Sequence, residues 1–66
     1  MNALIANAAA TIREVSPFLA DMWVAKPFHR AAVVKALFAK MRADGNEQAD
    51  RMRVVLNRAL DALEAA

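Results

Sequence analysis

Apolar residues recur through most of this chain at alternating steps of three and four, which is the spacing of one face of an α-helix. Near the N-terminus the series is Ile5, Ala8, Ile12, Val15, Leu19 and Met22. Near the C-terminus it is Ala49, Met52, Leu56, Ala59, Leu63 and Ala66. Because no segment alternates apolar and polar residues as a strand does, the sequence predicts an all-α fold.

Three pairs or triplets of helix-breaking residues divide the chain: Ser16-Pro17, Lys26-Pro27 and Asp44-Gly45-Asn46. They predict one domain, residues 1–66, with helices over about residues 3–24, 27–43 and 47–64. The first helix either kinks near residue 16 or breaks there, with Ser16 capping a fresh short helix that has Pro17 at its first position. In both cases we expect the same face to stay inward.

The Asp44-Gly45-Asn46 turn predicts that the second and third helices form a C-terminal antiparallel hairpin. Gly45 suits a left-handed residue just after a helix, and Asn46 suits the N-cap of the next one. The apolar stripe of the second helix is expected to be Val33, Val34, Leu37, Phe38 and Met41. On the third helix, Val54, Val55 and Leu60 are expected to widen the buried face. The sequence thus predicts a small bundle of two to three helices.

Composition indicates that such a bundle assembles further. The chain has 66 residues, of which 59% are apolar, and a domain of this size has little interior volume for them. It has no Cys for a disulfide and one His, too few ligands for zinc. We therefore predict a homodimer whose interface is the seam of the first helix: Ile5, Ala8, Ile12, Val15 and Leu19.

Charge is unevenly distributed along the chain. Residues 22–43 carry a net charge of +5, whereas residues 1–21 and 44–66 carry −1 and −2. On a helical projection Lys35 and Arg42 share one side, while Lys40 and His29 lie on another, so the bases do not form one stripe. The opening turn of the third helix is also acidic, which disfavours phosphate. A basic DNA-binding regulator is therefore an alternative function and not the first choice.

The residue inventory gives little support for catalysis. The hydroxyls are Thr11 and Ser16, there is no thiol, and the single His lies elsewhere in the sequence. Ser16 is explained as a cap before proline, and no glycine-rich phosphate loop occurs. We predict a protein that is not an enzyme and needs neither a cofactor nor a metal ion.

The segment MWVAKPFHRA, residues 22–31, gathers rare residue types and supplies the candidate site. Cations in the first turn of a helix oppose its dipole, so the sequence breaks a local rule there. One interpretation is a partner-binding patch: Trp23, Lys26, Phe28, His29 and Arg30. The other is that Trp23 and Phe28 close the end of a small core. Under the first, Pro27 would stiffen the corner that presents the patch.

The segment KMRADGNEQADRMRVVLNRALDALEAA, residues 40–66, resembles the short two-helix co-chaperones of bacterial secretion systems. The resemblance implies a helical hairpin that holds a partner helix in a groove. It covers less than half of the chain and rests on a helix-turn-helix pattern, and the first half departs from it.

Taken together, these features favour a small regulator or adaptor that binds and modulates, for example inhibits, a larger protein partner. By analogy with other short accessory chains, a phage or mobile-element origin fits this class. A DNA-binding regulator and a secretion co-chaperone are the alternatives. The apolar start is short and has no basic residues before it, so we expect a cytoplasmic protein with no membrane segment.

Overall fold

A computed structural model describes residues 3–65 of the chain, in which four α-helices and one 3₁₀ turn follow one another without a strand. The helices are α1 (Ala3–Arg13), α2 (Pro17–Ala25), α3 (Arg30–Ala43) and α4 (Ala49–Ala65), and the 3₁₀ turn spans Pro27–His29. The all-α prediction is confirmed for this range, although with four helices instead of two to three. Met1, Asn2 and Ala66, which the predicted domain and the last seam include, lie outside the described residues.

The two prolines decide where the first two helices end. A helix needs an N–H from the residue four positions on, and Pro17 and Pro27 have none to give to the carbonyls of Arg13 and Trp23. Accordingly α1 ends at Arg13 and α2 ends at Ala25. Of the two predicted alternatives at Pro17, the structure has the complete break.

Ser16 starts the second helix as an N-cap. Its backbone is extended, at φ −150° and ψ 105°, and its Oγ accepts a hydrogen bond of 3.2 Å from the Leu19 N–H. Pro17 occupies the first helical position, where its missing N–H is not needed. The sequence predicted this cap as one of its alternatives because capping depends on neighbouring residues alone.

A left-handed glycine ends α3. Gly45 has φ +67°, its N–H donates to the Arg42 carbonyl at 3.1 Å, and the Asn46 N–H donates to the Met41 carbonyl at 2.9 Å. These two bonds make a Schellman motif, as the Asp-Gly-Asn triplet predicts. The next helix begins later than predicted, at Ala49, and Asn46 Oδ1 accepts from the Gln48 N–H at 2.8 Å in the turn before it.

All four helices contribute to one core. Helices adjacent in the chain pack against each other, and α4 also packs against α1. The buried side chains are Ala8, Ala9, Ile12, Ala20, Trp23, Val33, Val34, Leu37, Met41, Met52, Leu56 and Ala59. Within residues 3–65 no buried side-chain nitrogen or oxygen lacks a hydrogen-bond partner. The core is therefore apolar, with its few polar atoms satisfied.

Most of the predicted inward positions are confirmed, with two differences. In α2 the fully buried residues are Ala20 and Trp23, while the predicted Leu19 and Met22, one position before each, are partly buried against the same core, because the break at Pro17 shifts the register. On α4, Val54 and Val55 are 51% and 53% exposed, so they do not widen the buried face as predicted. The antiparallel hairpin and the homodimer stay predictions.

We predict that Gly45→Ala lowers the free energy of unfolding by about 1 kcal/mol, the cost of a left-handed backbone for a residue with a Cβ. No atom lies within 4 Å of the position that a Cβ at Gly45 would take, so a steric clash adds nothing. Gly45→Asn is the matched control, because Asn tolerates this conformation, and it should lose less stability. Urea denaturation followed by circular dichroism measures both; equal stability of Gly45→Ala and the parent would contradict the prediction.

Candidate protein-binding groove

Trp23, the first residue of the predicted partner-binding patch, lies in the core. Its exposure is 0%, and its Nε1–H donates a hydrogen bond of 3.0 Å to the Ile5 carbonyl of α1. A buried indole needs such a partner for its one polar atom. The folded chain therefore presents no Trp23 surface to a partner, and the interpretation in which Trp23 closes a core describes its position.

Arg30 is attached to Trp23 by two contacts. Its Nε–H donates to the Trp23 carbonyl at 3.0 Å, and its guanidinium carbon lies 5.5 Å from the centroid of the indole ring. The Trp23 carbonyl needs a side-chain donor because Pro27, four residues on, has no N–H. A cation at the C-terminus of α2 also interacts favourably with the dipole of that helix. A cation in the first turn of α3 is unfavourable for that helix, but Arg30 is placed there because its side chain binds the C-terminal end of α2.

The remaining residues of the predicted patch are exposed at the corner between α2 and α3. Phe28 is 99% exposed within the 3₁₀ turn, and Lys26 and His29 on either side of it are also exposed. His29 makes no capping hydrogen bond to α3 through its side chain. The structure therefore separates the five predicted residues into the buried Trp23 with the partly buried Arg30 bonded to it, and an exposed trio.

The predicted dimer interface faces inward within a single chain. Ile12 is 0% exposed, Ala8 is buried beside it, and Ile5, Val15 and Leu19 are partly buried against the same core. The heptad spacing correctly marked a buried face, but α2 and α4 of the same chain cover it. A second copy would have to dock on a different surface of this fold.

A groove lies between α3 and α4, and we call it the basic groove. It has a volume of about 480 Å³. From α3 it is lined by Ala31, Val34, Lys35, Phe38, Ala39 and Arg42. From α4 it is lined by Arg53, Asn57 and Leu60. Val34 is buried, and Phe38 and Leu60 are partly buried, so the groove has an apolar floor.

Three cations border this apolar floor. Lys35, Arg42 and Arg53 are all exposed, and the residues that line the basic groove include no carboxylate. Among residues 3–65 the ion pairs are Arg13 with Asp21 and Lys40 with Asp44, so none of the three groove cations is paired with an acid. Unpaired like charges beside an apolar surface create a positive potential there.

A smaller recess continues the basic groove toward the predicted patch. It has a volume of about 180 Å³ and shares Ala31 and Leu60 with the basic groove. Phe28, Arg30 and Glu64 are among its other lining residues. We call these two adjoining recesses together the trough; Phe28 and the carboxylate of Glu64 line its smaller part.

A third recess lies on the opposite side of α4, against α1. It is lined mainly by apolar and small polar residues, among them Leu4, Ala8, Val55 and Ala62, with a volume of about 480 Å³. Arg58 is the cation that lines it. This recess lacks the charge of the basic groove and points to no particular ligand chemistry.

The residues that α3 contributes to the basic groove were predictable in part from the sequence. The sequence pattern placed Lys35 and Arg42 on one side of the second helix and Phe38 in the apolar stripe. It did not connect them with Arg53 and Asn57, which lie four residues apart and therefore on one face of α4. The pairing of the flanks of α3 and α4 depends on tertiary packing, which the spacing within one helix does not contain.

The two hydroxyl side chains of the described residues make local hydrogen bonds. Thr11 donates to the Asn7 carbonyl at 3.1 Å, and the Ser16 hydroxyl caps α2, so both hydroxyls have local structural roles. Residues 3–65 contain no group of three or more His, Cys, Asp or Glu side chains placed to hold a metal ion. In the same range, no helix combines the length and apolar character required to cross a bilayer.

Comparison of the chain with protein-family models, with curated proteins and with solved structures finds no match.

The buried position of Trp23 and the exposed position of Phe28 predict different effects on stability when each is replaced by Ala. Trp23→Ala should lose about 3–5 kcal/mol, a large part of the stability of a domain this small, and should unfold most of the protein. Phe28→Ala is the matched control and should melt like the parent, since its ring is 99% exposed. Thermal melts of both variants measure this, and a stable Trp23→Ala protein would contradict the core role.

The contacts of Trp23 also predict a specific role for Arg30. Arg30→Met keeps the apolar stem but removes the donor to the Trp23 carbonyl, so it should lower the free energy of unfolding by about 1 kcal/mol. Lys35→Met removes an exposed cation from the same helix and should change stability little. Urea titrations that give equal losses for the two variants would show that charge alone, and not the hydrogen bond, is responsible.

Proposed function

We propose that this protein is a non-enzymatic, protein-binding regulator or adaptor that uses the basic groove between α3 and α4 to bind a segment of a larger partner. The single observation that supports this proposal is the combination within one groove of an apolar floor and three unpaired cations. Apolar area supplies affinity, and surrounding charges select the partner and increase the association rate.

The shape of the groove favours a macromolecular segment over a small ligand. It is open along two helices and continues into the recess at Phe28, so a chain could lie along it. Small-molecule sites, in contrast, enclose most of the ligand surface. Binding of a helix in a groove between helices is a recurrent mode of peptide recognition.

Nucleic-acid binding is the second candidate, and one observation favours it. The fold brings Arg53 to the same groove as Lys35 and Arg42, so three basic side chains border it. The sequence pattern did not place these three residues together. Phosphate groups bind to Lys and Arg side chains, however, and such binding would leave the apolar floor of Val34, Phe38 and Leu60 without a function. We therefore rank this candidate below a protein partner.

The predictions of a co-chaperone role, of inhibition, of a mobile-element origin and of a homodimer are part of this proposal. The resemblance of residues 40–66 to secretion co-chaperones agrees with a groove that holds a helix, and a co-chaperone role is one form that the proposed adaptor could take. Inhibition of the partner, a mobile-element origin and homodimer formation are likewise proposals. A homodimer would need an interface other than the buried face of Ala8 and Ile12.

The proposal predicts position-dependent cross-linking in the cell from which the protein comes. A photo-cross-linking amino acid at Ala39, which lines the basic groove, should give one dominant protein adduct. The same amino acid at Ala36, exposed on α3 but outside the three recesses described above, should give little of that adduct. Adducts are separated by gel electrophoresis and identified by mass spectrometry.

A nuclease-treated sample is the control for nucleic acid. Equal adducts at Ala39 and Ala36, or adducts at neither, would contradict the groove as the binding surface. An adduct at Ala39 that nuclease removes would favour the second candidate instead.

A further inference from the structure

We propose that the occupant of the basic groove is an amphipathic helix of about three turns whose apolar stripe is flanked by acidic residues. This inference rests on the proposed function, because it names the partner chemistry of the same groove. Its support comes from the length of the trough, the side chains of its floor and the positions of its charges.

The length of the trough fits a short helix. Ala31 and Arg42 both line the basic groove, and a helix rises about 1.5 Å per residue, so the groove follows α3 for about 17 Å. The recess at Phe28 extends the trough beyond Ala31. A helix of about three turns covers this distance, whereas an extended segment of the same length would need only about five residues.

The floor of the groove fits a helix better than other backbone conformations. Ala31 and Ala39 are small, which permits close approach of a third helix axis, and the partly buried Phe38 and Leu60 offer apolar surface beside them. A partner strand would need an exposed sheet edge, and residues 3–65 contain no strand. A polyproline segment would need several aromatic side chains, whereas Phe38 is the aromatic residue that lines the groove.

The charges define the sign and placement of the partner's polar residues. Arg42 and Arg53 border the basic groove together with Lys35, while the recess at the opposite end of the trough is bordered by Glu64 and by Arg30, whose Nε–H is bonded to the Trp23 carbonyl. None of the three cations is paired with a carboxylate of residues 3–65. Acidic residues beside the apolar stripe of the partner would therefore meet cations near Arg42 and Arg53 and would avoid Glu64.

The test uses synthetic peptides and the whole chain. One peptide of about 14 residues has Leu at helical spacing i, i+3, i+4, i+7 and Glu on both flanks of the stripe. A second has Lys in place of every Glu, and a third has the composition of the first with the stripe scrambled. Fluorescence anisotropy of labelled peptides should show the Glu peptide binding about tenfold more tightly than either of the others.

A pair of variants on α4 locates the binding. Arg53→Glu changes a cation that lines the groove and should weaken binding of the Glu peptide about fivefold while strengthening binding of the Lys peptide. Arg51→Glu makes the same change in net charge two residues away, at an exposed position that lines none of the three recesses, and should alter binding by less than about twofold. Circular dichroism confirms that both variants stay helical.

The outcomes separate this inference from the proposed function. Equal binding of the Glu and Lys peptides, or equal effects of Arg53→Glu and Arg51→Glu, overturns the inference that the partner is an acidic helix. Cross-linking at Ala39 still decides whether the groove binds a protein. Binding of a short DNA duplex that Arg53→Glu abolishes, together with no binding of the Glu peptide, overturns both and assigns the groove to nucleic acid.

Discussion

The anchoring of Trp23 is the constraint on which the rest of this fold depends. The indole N–H bonds to α1 at the Ile5 carbonyl, the ring fills the core, and the Trp23 carbonyl receives the side chain of Arg30 from α3. One residue of α2 thereby joins three helices without a disulfide. By fixing the corner at Pro27, it also sets where α3 begins, and α3 forms one wall of the basic groove.

Local features of the fold were predictable from the sequence because their causes are local. The Schellman turn at Gly45 and the cap at Ser16 each depend on a few consecutive residues, and both agree with the sequence-based expectations. Periodicity also identified buried faces correctly. It does not say what covers them, so the seam through Ala8 and Ile12 was interpreted as a dimer interface when the same chain covers it.

The candidate site was harder to predict because it depends on packing. A signal for the Trp23 and Arg30 contact was present: a proline four residues after Trp23 leaves its carbonyl without a backbone donor, and a nearby arginine could supply one. No comparable signal joined Lys35 and Arg42 to Arg53, since those residues become neighbours only when α3 packs on α4. Phe28 was expected beside Trp23 in one patch, whereas it is exposed and lines the recess at the end of the basic groove.

The complete break at Pro17 has a consequence for how this chain folds. It leaves α1 with 11 residues and α2 with 9, lengths at which an isolated helix is marginal in water. Ser16 and Pro17 favour the start of α2 locally, but most of the helical stability of both segments has to come from packing around Trp23. We therefore expect a substitution that disturbs the core at Trp23 to cost α1 and α2 their helical structure as well as their packing.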